Sequence, residues 1–277
     1  MVMLNGVFLS REQAMLSAVD RALTHGLGLY ETLKLIDGLP VFFEEHIARL
    51  ESGMAQIEIP SPFDRAGLAD QIVRLSEATA VPDGACRILV TAGPTDGSPG
   101  LLVETDMRTF PQHPLALVSY RSLRAAAALK SNSFIASYVA MRAARAAGAD
   151  DAVFVDDRGR MYEASTANVF VVRNGIMTTP PAEGEILPGV VRAKLMQVAI
   201  ADGMTVCQGL MQAAELTADD MILLTSSVRG VVMAASIDGH PLRQDQELLD
   251  RLKGLVDAAE RASTVTFAET YPGVLDA

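Results

Sequence analysis

The sequence predicts a two-domain α+β protein. Its 277 residues correspond, at roughly 100 to 200 residues per domain, to one large domain or two modest ones. Strand-like and helical patterns occur together in both halves of the chain. Residues 109–114 read Thr-Phe-Pro-Gln-His-Pro, and two prolines in six residues disfavour both a helix and an interior strand. We therefore predict an N-terminal α+β domain over residues 1–108, a linker at 109–114 and a C-terminal α+β domain over 115–277.

Two tight-turn pairs organise the N-terminal domain. Asn5-Gly6 and Asp37-Gly38 each lie between strand patterns, and such pairs favour the left-handed turn of a two-residue hairpin. Ser61-Pro62 predicts the N-cap and the first position of the second helix. The predicted elements are strands at 1–4, 7–10, 29–36 and 39–43, helices from 44 and from 61, strands at 87–91 and 101–104, and a loop at 93–100.

The C-terminal domain is predicted to mix short strands with two helices and to end in a third helix. The turn pairs Asn174-Gly175 and Asp238-Gly239 separate strand patterns there. The predicted elements are strands at 115–120, 152–155, 168–172, near 205, at 221–224 and at 228–237, and helices at 137–148, at 189–202 and from about 244.

Charge and cysteine content exclude several classes of partner. The chain has 23 Lys and Arg against 34 Asp and Glu, a formal net charge of −11. Because nucleic acids and anionic membranes are bound through clustered Lys and Arg, and no basic run occurs, we expect neither as a partner. The two cysteines lie far apart without a CxxC motif, which fits a reducing compartment. No apolar run has the length of an export signal or a membrane span, so we expect a cytoplasmic protein.

Lysines are few enough to be searched one by one for an amine nucleophile. They occupy positions 34, 130, 194 and 253. Lys130 follows four alanines and Leu129, and apolar surroundings favour the free amine that attacks a carbonyl carbon. The same composition fits a strand-end lysine that extends to water, so both interpretations stay open. Lys194 and Lys253 fall on predicted helices, where a solvated lysine is usual, and Lys34 lies on a strand that faces either the surface or a cleft.

Three further features would complete a cofactor site. Glu163 lies among small hydroxylic residues before a strand. It is either an ordinary turn residue or the acidic partner of a ring nitrogen. Pro188-Gly189-Val190-Val191 opens a predicted helix whose free N–H groups and dipole attract an anion. Thr225-Ser226-Ser227 places hydroxyls where a strand ends. With Lys130, these features supply an amine nucleophile, an acid partner for a ring nitrogen and two phosphate-binding elements.

Other common site signatures are absent. The chain has no GxSxG, no Walker lysine, no HExxH and no GxGxxG, and its four histidines are too dispersed to indicate a metal site. We therefore predict no metal.

Four sequence blocks, taken together, resemble the fold-type IV pyridoxal-phosphate enzymes. This family includes branched-chain aminotransferases, D-amino-acid aminotransferases and 4-amino-4-deoxychorismate lyases. The resemblance runs from the first hairpin to about Gly239, and the blocks occur in the family's order. They are Gly28-Leu29-Tyr30-Glu31-Thr32-Leu33-Lys34 with Asp37-Gly38, then His46-Ile47-Ala48-Arg49-Leu50, then Lys130 with Gly148-Ala149-Asp150-Asp151-Ala152, and last Glu163-Ala164-Ser165-Thr166-Ala167-Asn168 with Leu187-Pro188-Gly189-Val190-Val191-Arg192.

The resemblance implies a role for each site residue. Lys130 matches the lysine that holds pyridoxal 5'-phosphate as a Schiff base and then shuttles the substrate proton. Glu163 matches the carboxylate that pairs with the pyridine nitrogen and keeps the ring an electron sink. The remaining implied residues are Arg49, Val190, Val191, Ser226 and Ser227 at the phosphate, Asn168 at the cofactor, and Tyr30, Thr32 and Lys34 on the strand that lines the substrate side.

The resemblance also implies the fold and the assembly. Family members have two α+β domains with the cofactor in the interdomain cleft, and they form homodimers in which a loop of one subunit completes the neighbour's site. The loop at 93–100 matches that loop, and residues 109–114 fall where the interdomain linker belongs.

Departures from the family patterns bear on the substrate. Common D-amino-acid aminotransferases carry an Arg-x-His carboxylate trap where this chain reads Ala92-Gly93-Pro94, which weakens a D-specific interpretation. Branched-chain enzymes usually have a tyrosine five residues after the lysine, and here that residue is Ile135. The stretch from Tyr30 to Lys34 is closer to the Phe-Glu-Thr-Leu-Arg of the lyases than to the Phe-Glu-Gly of the branched-chain enzymes.

We therefore expect a pyridoxal-phosphate-dependent aminotransferase that moves an amino group between an amino acid, branched-chain by preference, and a 2-oxo acid through Lys130. The alternative is a 4-amino-4-deoxychorismate lyase, which releases pyruvate and 4-aminobenzoate with the same lysine. A remote alternative is a cofactor-binding protein without turnover, which the presence of both Lys130 and Glu163 disfavours.

Overall fold

The computed structural model describes residues 1–108, 110 and 113–274, and the chain forms two compact units. Unit 1 contains the described residues 1–108, 129–133 and 260–274, and unit 2 contains the others. The sequence assignment had placed 129–133 and 260–274 in the C-terminal domain. They group with unit 1 because Ser131 pairs with Leu29 and Phe267 joins the core of the N-terminal residues. Residues 109, 111 and 112 of the predicted linker lie outside the described residues, so the linker stays a prediction.

Unit 1 is a six-stranded sheet with three helices from the N-terminal part of the chain. Its elements are β1 (Val2–Leu4), β2 (Val7–Leu9), α1 (Arg21–Thr24), β3 (Gly28–Ile36), β4 (Leu39–Pro40), α2 (Phe43–Gln56), α3 (Arg65–Thr79), β5 (Gly84–Thr91) and β6 (Gly100–Asp106). The strand order is β2-β1-β6-β5-β3-β4, and the neighbouring strands are antiparallel. The core of the unit packs α2, α3 and the end of the chain against this sheet.

Both predicted hairpins of unit 1 are confirmed at their turns. Asn5 and Gly6 have φ of 51° and 82°, and Asp37 and Gly38 have φ of 50° and 80°, the left-handed values that such turns need. The predicted strand at 39–43 was too long, because β4 ends at Pro40 and Phe42, with φ of 52°, already precedes the start of α2 at Phe43.

The start of α3 differs from the prediction. Ser61-Pro62 was wrong as the N-cap and first helical position, because α3 begins at Arg65. The Asp64 carboxylate accepts a hydrogen bond from Gly67 N at 2.8 Å and caps the helix, whereas the Ser61 hydroxyl donates to Phe63 O. Two capping signals lie within four residues, and the carboxylate of Asp64 caps the helix.

Alternation along β3 separates a core face from a half-buried face. Leu29, Leu33 and Leu35 are buried together with Glu31, and the residues between them are half-buried. Successive side chains of a strand point to opposite faces, so Tyr30, Thr32 and Lys34 share the half-buried face.

Unit 2 is a nine-stranded mixed sheet with two helices of its own. Its elements are β7 (Leu115–Arg121), α4 (Ile135–Ala146), β8 (Asp151–Val155), β9 (Met161–Ala164), β10 (Asn168–Arg173), β11 (Ile176–Thr179), α5 (Val190–Ala201), β12 (Thr205–Gln208), β13 (Met221–Ser226), β14 (Gly230–Ile237) and β15 (His240–Pro241). The order is β12-β11-β10-β13-β14-β7-β8-β9, with β15 beside β14. Pairing of β9 with β10, at Glu163 and Asn168, closes six of these strands into a ring.

A long helix, α6 (Gln246–Thr270), follows β15 as predicted, and short 3-10 turns occupy Ala213–Glu215 and Pro272–Val274. None of the helices in the described part of the chain has the length and apolar character needed to cross a membrane. The predicted α+β fold is confirmed in both units.

Candidate active site

Lys130 is held against the beginning of β3. Its carbonyl oxygen accepts a hydrogen bond from Tyr30 N at 2.9 Å, and Asn132 N donates to Gly28 O at 3.0 Å. The Lys130 Nζ lies 4.6 Å from the centre of the Tyr30 ring. Gly28 permits this approach, since a Cβ there would lie 2.9 Å from Val90 O and 3.2 Å from the Asn132 side chain. The structure thus presents a half-buried primary amine on the half-buried face of β3.

The predicted substrate residues lie on one face of β3, and Tyr30 of this set contacts Lys130. Tyr30, Thr32 and Lys34 share a face, and the guanidinium of Arg87 lies 4.5 Å from the centre of the Tyr30 ring. The ammonium of Lys34 donates to Glu260 of α6 at 2.6 Å, and the side chain of Glu260 is buried. Lys34 is therefore engaged in an ion pair, and its role toward a substrate stays a prediction.

Arg49 belongs to a buried cluster with Glu31 and His46. Arg49 Nε and Nη2 donate to the two carboxylate oxygens of Glu31 at 2.8 and 2.7 Å, and His46 Nδ1 lies 2.7 Å from Glu31 Oε2. Burial alone would raise the pKa of Glu31, but the charge of Arg49 and the hydrogen bonds from both partners hold that pKa well below its usual range. Burial lowers the pKa of His46, so at neutral pH His46 is neutral and donates through Nδ1–H.

Sequence reasoning did not assign a role to Glu31. It lies in the first resemblance block, but its partners follow 15 and 18 residues later on α2. The one available signal was an acidic residue at a strand position that alternation assigns to the core. The contact fixes the plane of the Arg49 guanidinium, because a bidentate pair of this kind has little rotational freedom.

Glu163 is the carboxylate of a second buried pair, in unit 2. Arg124 donates to Glu163 Oε1 through Nε at 2.8 Å and also through Nη2, while Leu187 N donates to Oε2 at 3.1 Å. The side chain of Glu163 is 5% exposed. Sequence reasoning missed Arg124, for which the only signal was a cation next to the alanine run before Lys130. These donors fix the orientation of the Glu163 carboxylate.

The beginning of α5 has no side-chain cap. Val190 and Val191 are its first two residues, its N-cap Gly189 brings no side-chain cap, and no acidic residue lies in the first turn. Free N–H groups of a first helical turn bind anions, and the helix dipole favours negative charge there. The donor set therefore fits a phosphate group.

Asn168 connects this helix start with the end of β13. Its Nδ2 donates to Leu187 O at 2.9 Å, and a Cβ at Gly189 would come within 2.0 Å of its Oδ1. In the sheet Asn168 pairs with Thr225, whose Oγ1 is buried and has no hydrogen-bond partner among the residues that the structure describes. Ser226 ends β13 and Ser227 begins the following turn. Unit 2 thus groups Glu163, Asn168, the α5 start and this hydroxyl turn.

The loop at 93–100 is closed on itself. Gly93 has φ of 65°, and a Cβ there would lie 2.2 Å from Ser98 O. Arg21 donates to Gly93 O and Ala92 O at 3.1 and 2.7 Å, while Gly100 already belongs to β6. The loop has a defined conformation, and its predicted role in a neighbouring subunit stays a prediction.

Within the described residues, no group of three or more His, Cys, Asp or Glu side chains is arranged to hold a metal ion.

Comparison with known proteins gives a consistent family match. The chain matches the family model described as amino-transferase class IV over residues 28–237. A protein of Methanocaldococcus jannaschii assigned as a branched-chain-amino-acid aminotransferase is 28% identical over 275 residues, which cover 91% of this chain and 93% of that protein.

Two solved structures have the same fold. A Legionella pneumophila protein assigned as a 4-amino-4-deoxychorismate lyase matches with a TM-score of 0.84 and 26% identity, over 90% of this chain and 97% of that chain. A hypothetical aminotransferase from Mycobacterium tuberculosis matches with a TM-score of 0.84 and 25% identity, over 94% of this chain and 98% of that chain. That protein was solved in a PLP-bound form and in a form with α-ketoglutarate and PMP.

Proposed function

The chain belongs to the class IV aminotransferase family, and from this premise we propose that it binds pyridoxal 5'-phosphate at Lys130 and moves an amino group between an amino acid and a 2-oxo acid. The observation that carries the proposal is the half-buried Lys130 amine, which backbone hydrogen bonds hold beside Tyr30. When bound, the cofactor supplies an electron sink that stabilises negative charge on the substrate α-carbon.

Lys130 serves as the nucleophile and the proton carrier in this proposal. Its Nζ would hold the cofactor through the cofactor's carbonyl carbon, with release of water, and would give up this link to the substrate amine. The freed Nζ then takes the proton from the substrate α-carbon as a general base. The backbone contacts with β3 support this role, because they limit how far the side chain moves when the covalent link is broken.

Glu163 serves as the partner of the cofactor ring nitrogen. Arg124 and Leu187 N already donate to its two oxygens, and a carboxylate has lone pairs left to accept a further hydrogen bond from a protonated ring nitrogen. An ionised partner keeps the ring nitrogen protonated, which the electron sink requires.

The phosphate is assigned to the α5 start and to the side chains around it. Val190 and Val191 would donate backbone N–H groups, Ser226 and Ser227 would donate hydroxyls, and Asn168 would brace the turn between them. Arg49 is proposed as the guanidinium ligand, oriented by Glu31.

The substrate side is assigned to the half-buried face of β3, with Tyr30, Thr32 and Lys34. We propose a branched-chain amino acid as the preferred amino donor, in line with the M. jannaschii relative. A homodimer, in which the loop at 93–100 completes the neighbour's site, and a cytoplasmic location belong to the same proposal.

Borohydride reduction tests the assignment of Lys130. Reduction makes the lysine–cofactor link permanent, so peptide mass spectrometry of the wild type should find the cofactor mass on the peptide that contains Lys130. Lys130→Ala should lose the label and the visible absorbance of the bound cofactor. Lys194→Ala is the matched control and should keep both. A label on another lysine, or a label that survives Lys130→Ala, would contradict the proposal.

A lyase acting on 4-amino-4-deoxychorismate is the second candidate function. The likeness to the Legionella pneumophila protein and the Tyr30-Glu31-Thr32-Leu33-Lys34 strand favour it. An aminotransferase should convert its bound cofactor to the pyridoxamine form with L-leucine or L-glutamate and no second substrate. A lyase should instead release pyruvate from aminodeoxychorismate without that conversion. Running both assays on one preparation, with the D-enantiomers included, decides between the two functions.

A further inference from the structure

Arg192 is a buried cation at the beginning of α5, in a place where helices usually exclude positive charge. It is the third residue of the helix and is 6% exposed. The positive end of a helix dipole disfavours cations in the first turn, and an uncompensated buried charge is costly. The side chain therefore needs an explanation beyond the packing of α5.

The guanidinium of Arg192 donates hydrogen bonds to three neutral oxygens. Arg192 Nε donates to Thr179 Oγ1 at 3.2 Å, and Nη2 donates to Pro180 O at 2.7 Å and to Gln208 Oε1 at 3.0 Å. In the described part of the chain its guanidinium contacts no carboxylate, and burial lowers its pKa without an opposing acidic neighbour. Arginine stays protonated in proteins, so the site keeps a full positive charge.

The Arg192 side chain starts in the first turn of α5, whose N-cap Gly189 brings no side-chain cap. The Cβ of Arg192 is 3.2 Å from the position that a Cβ on Gly189 would take. Thr179, which accepts from Arg192, donates in turn to Val169 O, next to Asn168. The guanidinium is thus connected to the same residues that shape the α5 start.

We propose that Arg192 is the counter-charge of the cofactor phosphate: it does not contact the phosphate but makes the α5 start selective for a dianionic ligand. The inference rests on the proposed function, since the dianion it requires is the phosphate of the cofactor. A positive charge added to the helix dipole strengthens anion binding over several ångströms when the intervening region is dry. The cost of burying the cation is then offset when the anion binds.

A competing explanation is that Arg192 is a clamp that holds the ends of β11 and β12 against α5. The two explanations differ in one measurable way. A clamp supports every ligand of the site equally, whereas a counter-charge acts only on the phosphorylated ligand.

The experiment compares two probes on the apoprotein at pH 7, pyridoxal 5'-phosphate and pyridoxal, by absorbance titration. Arg192→Gln keeps hydrogen-bonding capacity and removes the charge. We expect its dissociation constant for pyridoxal phosphate to rise by about tenfold or more, and that for pyridoxal to change by less than about twofold. Lys194→Gln removes a charge two residues further along α5 and should leave both constants within about twofold of the wild type.

Equal weakening of both probes, or no weakening, would overturn the inference. If Arg192→Gln does not fold, Arg192→Lys decides: it keeps a charge without the three-point clamp, so the preference for the phosphorylated probe should stay within about threefold of the wild type, and its loss overturns the inference. A wild type that binds both probes at Lys130 with equal affinity would overturn this inference but not the proposed function. A wild type that binds neither would overturn both.

Discussion

Glu31 and Glu163 are carboxylates that each hold one arginine by a two-point contact. Glu31 fixes Arg49 in unit 1, and Glu163 fixes Arg124 in unit 2. In each pair one member is proposed as a cofactor ligand, and the other member orients it. The sequence separations of 18 and 39 residues leave no local signal of the pairing, so it is not predictable from residue spacing.

Glu31→Gln tests the first of these pairs. We expect the free energy of unfolding at pH 7.5 to fall by about 3 to 5 kcal/mol, because the variant removes the buried counter-charge of Arg49. Urea unfolding measures this loss. Glu77→Gln, at an exposed position of α3, is the control and should stay within about 0.5 kcal/mol of the wild type.

The pH dependence of the same variant gives a second readout. The folded pKa of Glu31 is depressed, so its stabilisation is present above the unfolded pKa of about 4.3 and is lost as the pH falls toward the folded value. The folded pKa of His46 is also lowered, so its protonation below about pH 6.5 favours the unfolded chain. Between pH 7 and pH 3 the wild type should therefore lose more stability than Glu31→Gln. Parallel curves would contradict the assignment of Glu31.

At the scale of elements, α3 and α5 differ in how their first turns are capped. Asp64 caps α3 with its own carboxylate, while Gly189 leaves the first turn of α5 without a side-chain cap. The composition around residues 61–64 offers two caps, and sequence alone does not rank them, so the predicted start at Ser61-Pro62 failed. The start of α5 was predicted within one residue, because Pro188-Gly189 before an apolar run leaves few alternatives.

Gly189→Ala should disturb the α5 start. The added Cβ would lie 2.0 Å from Asn168 Oδ1, so the amide has to rotate and lose its hydrogen bond to Leu187 O. We expect a loss of about 2 kcal/mol in unfolding free energy. The double variant with Asn168→Ala should lose less than the sum of the two single variants.

Gly254→Ala is the matched control for this substitution. Gly254 lies inside α6, and a Cβ there meets nothing within 4 Å. Alanine should stabilise the helix by about 0.5 to 1 kcal/mol. If the losses of unfolding free energy of Gly189→Ala and Asn168→Ala add in the double variant, a clash with the Asn168 side chain is not the reason for a glycine at position 189.

On the scale of the whole molecule, residues 260–274 complete the hydrophobic core formed by the first 108 residues. Phe267 of α6 is 4% exposed, and its ring centre lies 5.2 Å from that of Phe43 and 5.1 Å from that of Tyr271. Phe43 begins α2, which carries His46 and Arg49. The orientation of α2 therefore depends on residues more than 200 positions away in the sequence.

Phe267→Ala should cost about 3 to 5 kcal/mol of unfolding free energy, since it opens a cavity between aromatic rings. Val265→Ala on the same helix removes an exposed side chain and should change stability by less than about 0.5 kcal/mol. Urea unfolding followed by circular dichroism compares the two. A loss below about 1 kcal/mol for Phe267→Ala would mean that the end of the chain does not stabilise unit 1.

The turns and helices that depend on residues close in sequence were predicted. The contacts between residues distant in sequence were not. The Asn5-Gly6 hairpin and the helix at 190–201 follow from local turn chemistry and apolar periodicity, and the structure contains both. Lys130 and Glu163 were selected from their local surroundings. The grouping of residues 129–133 with unit 1 depends on a pairing between Ser131 and Leu29 that no local pattern encodes, and the same holds for Arg124 beside Glu163.

The grouping of residues 260–274 with the first 108 has a consequence for biosynthesis. A ribosome releases the N-terminal strands long before it has translated Phe267 and Tyr271, so the nascent unit 1 lacks these two aromatic side chains while unit 2 is being made. Domains generally fold as units during synthesis, in the order in which they emerge. Here the amine-bearing segment and its strand acquire their complete packing only after all of unit 2 has been translated.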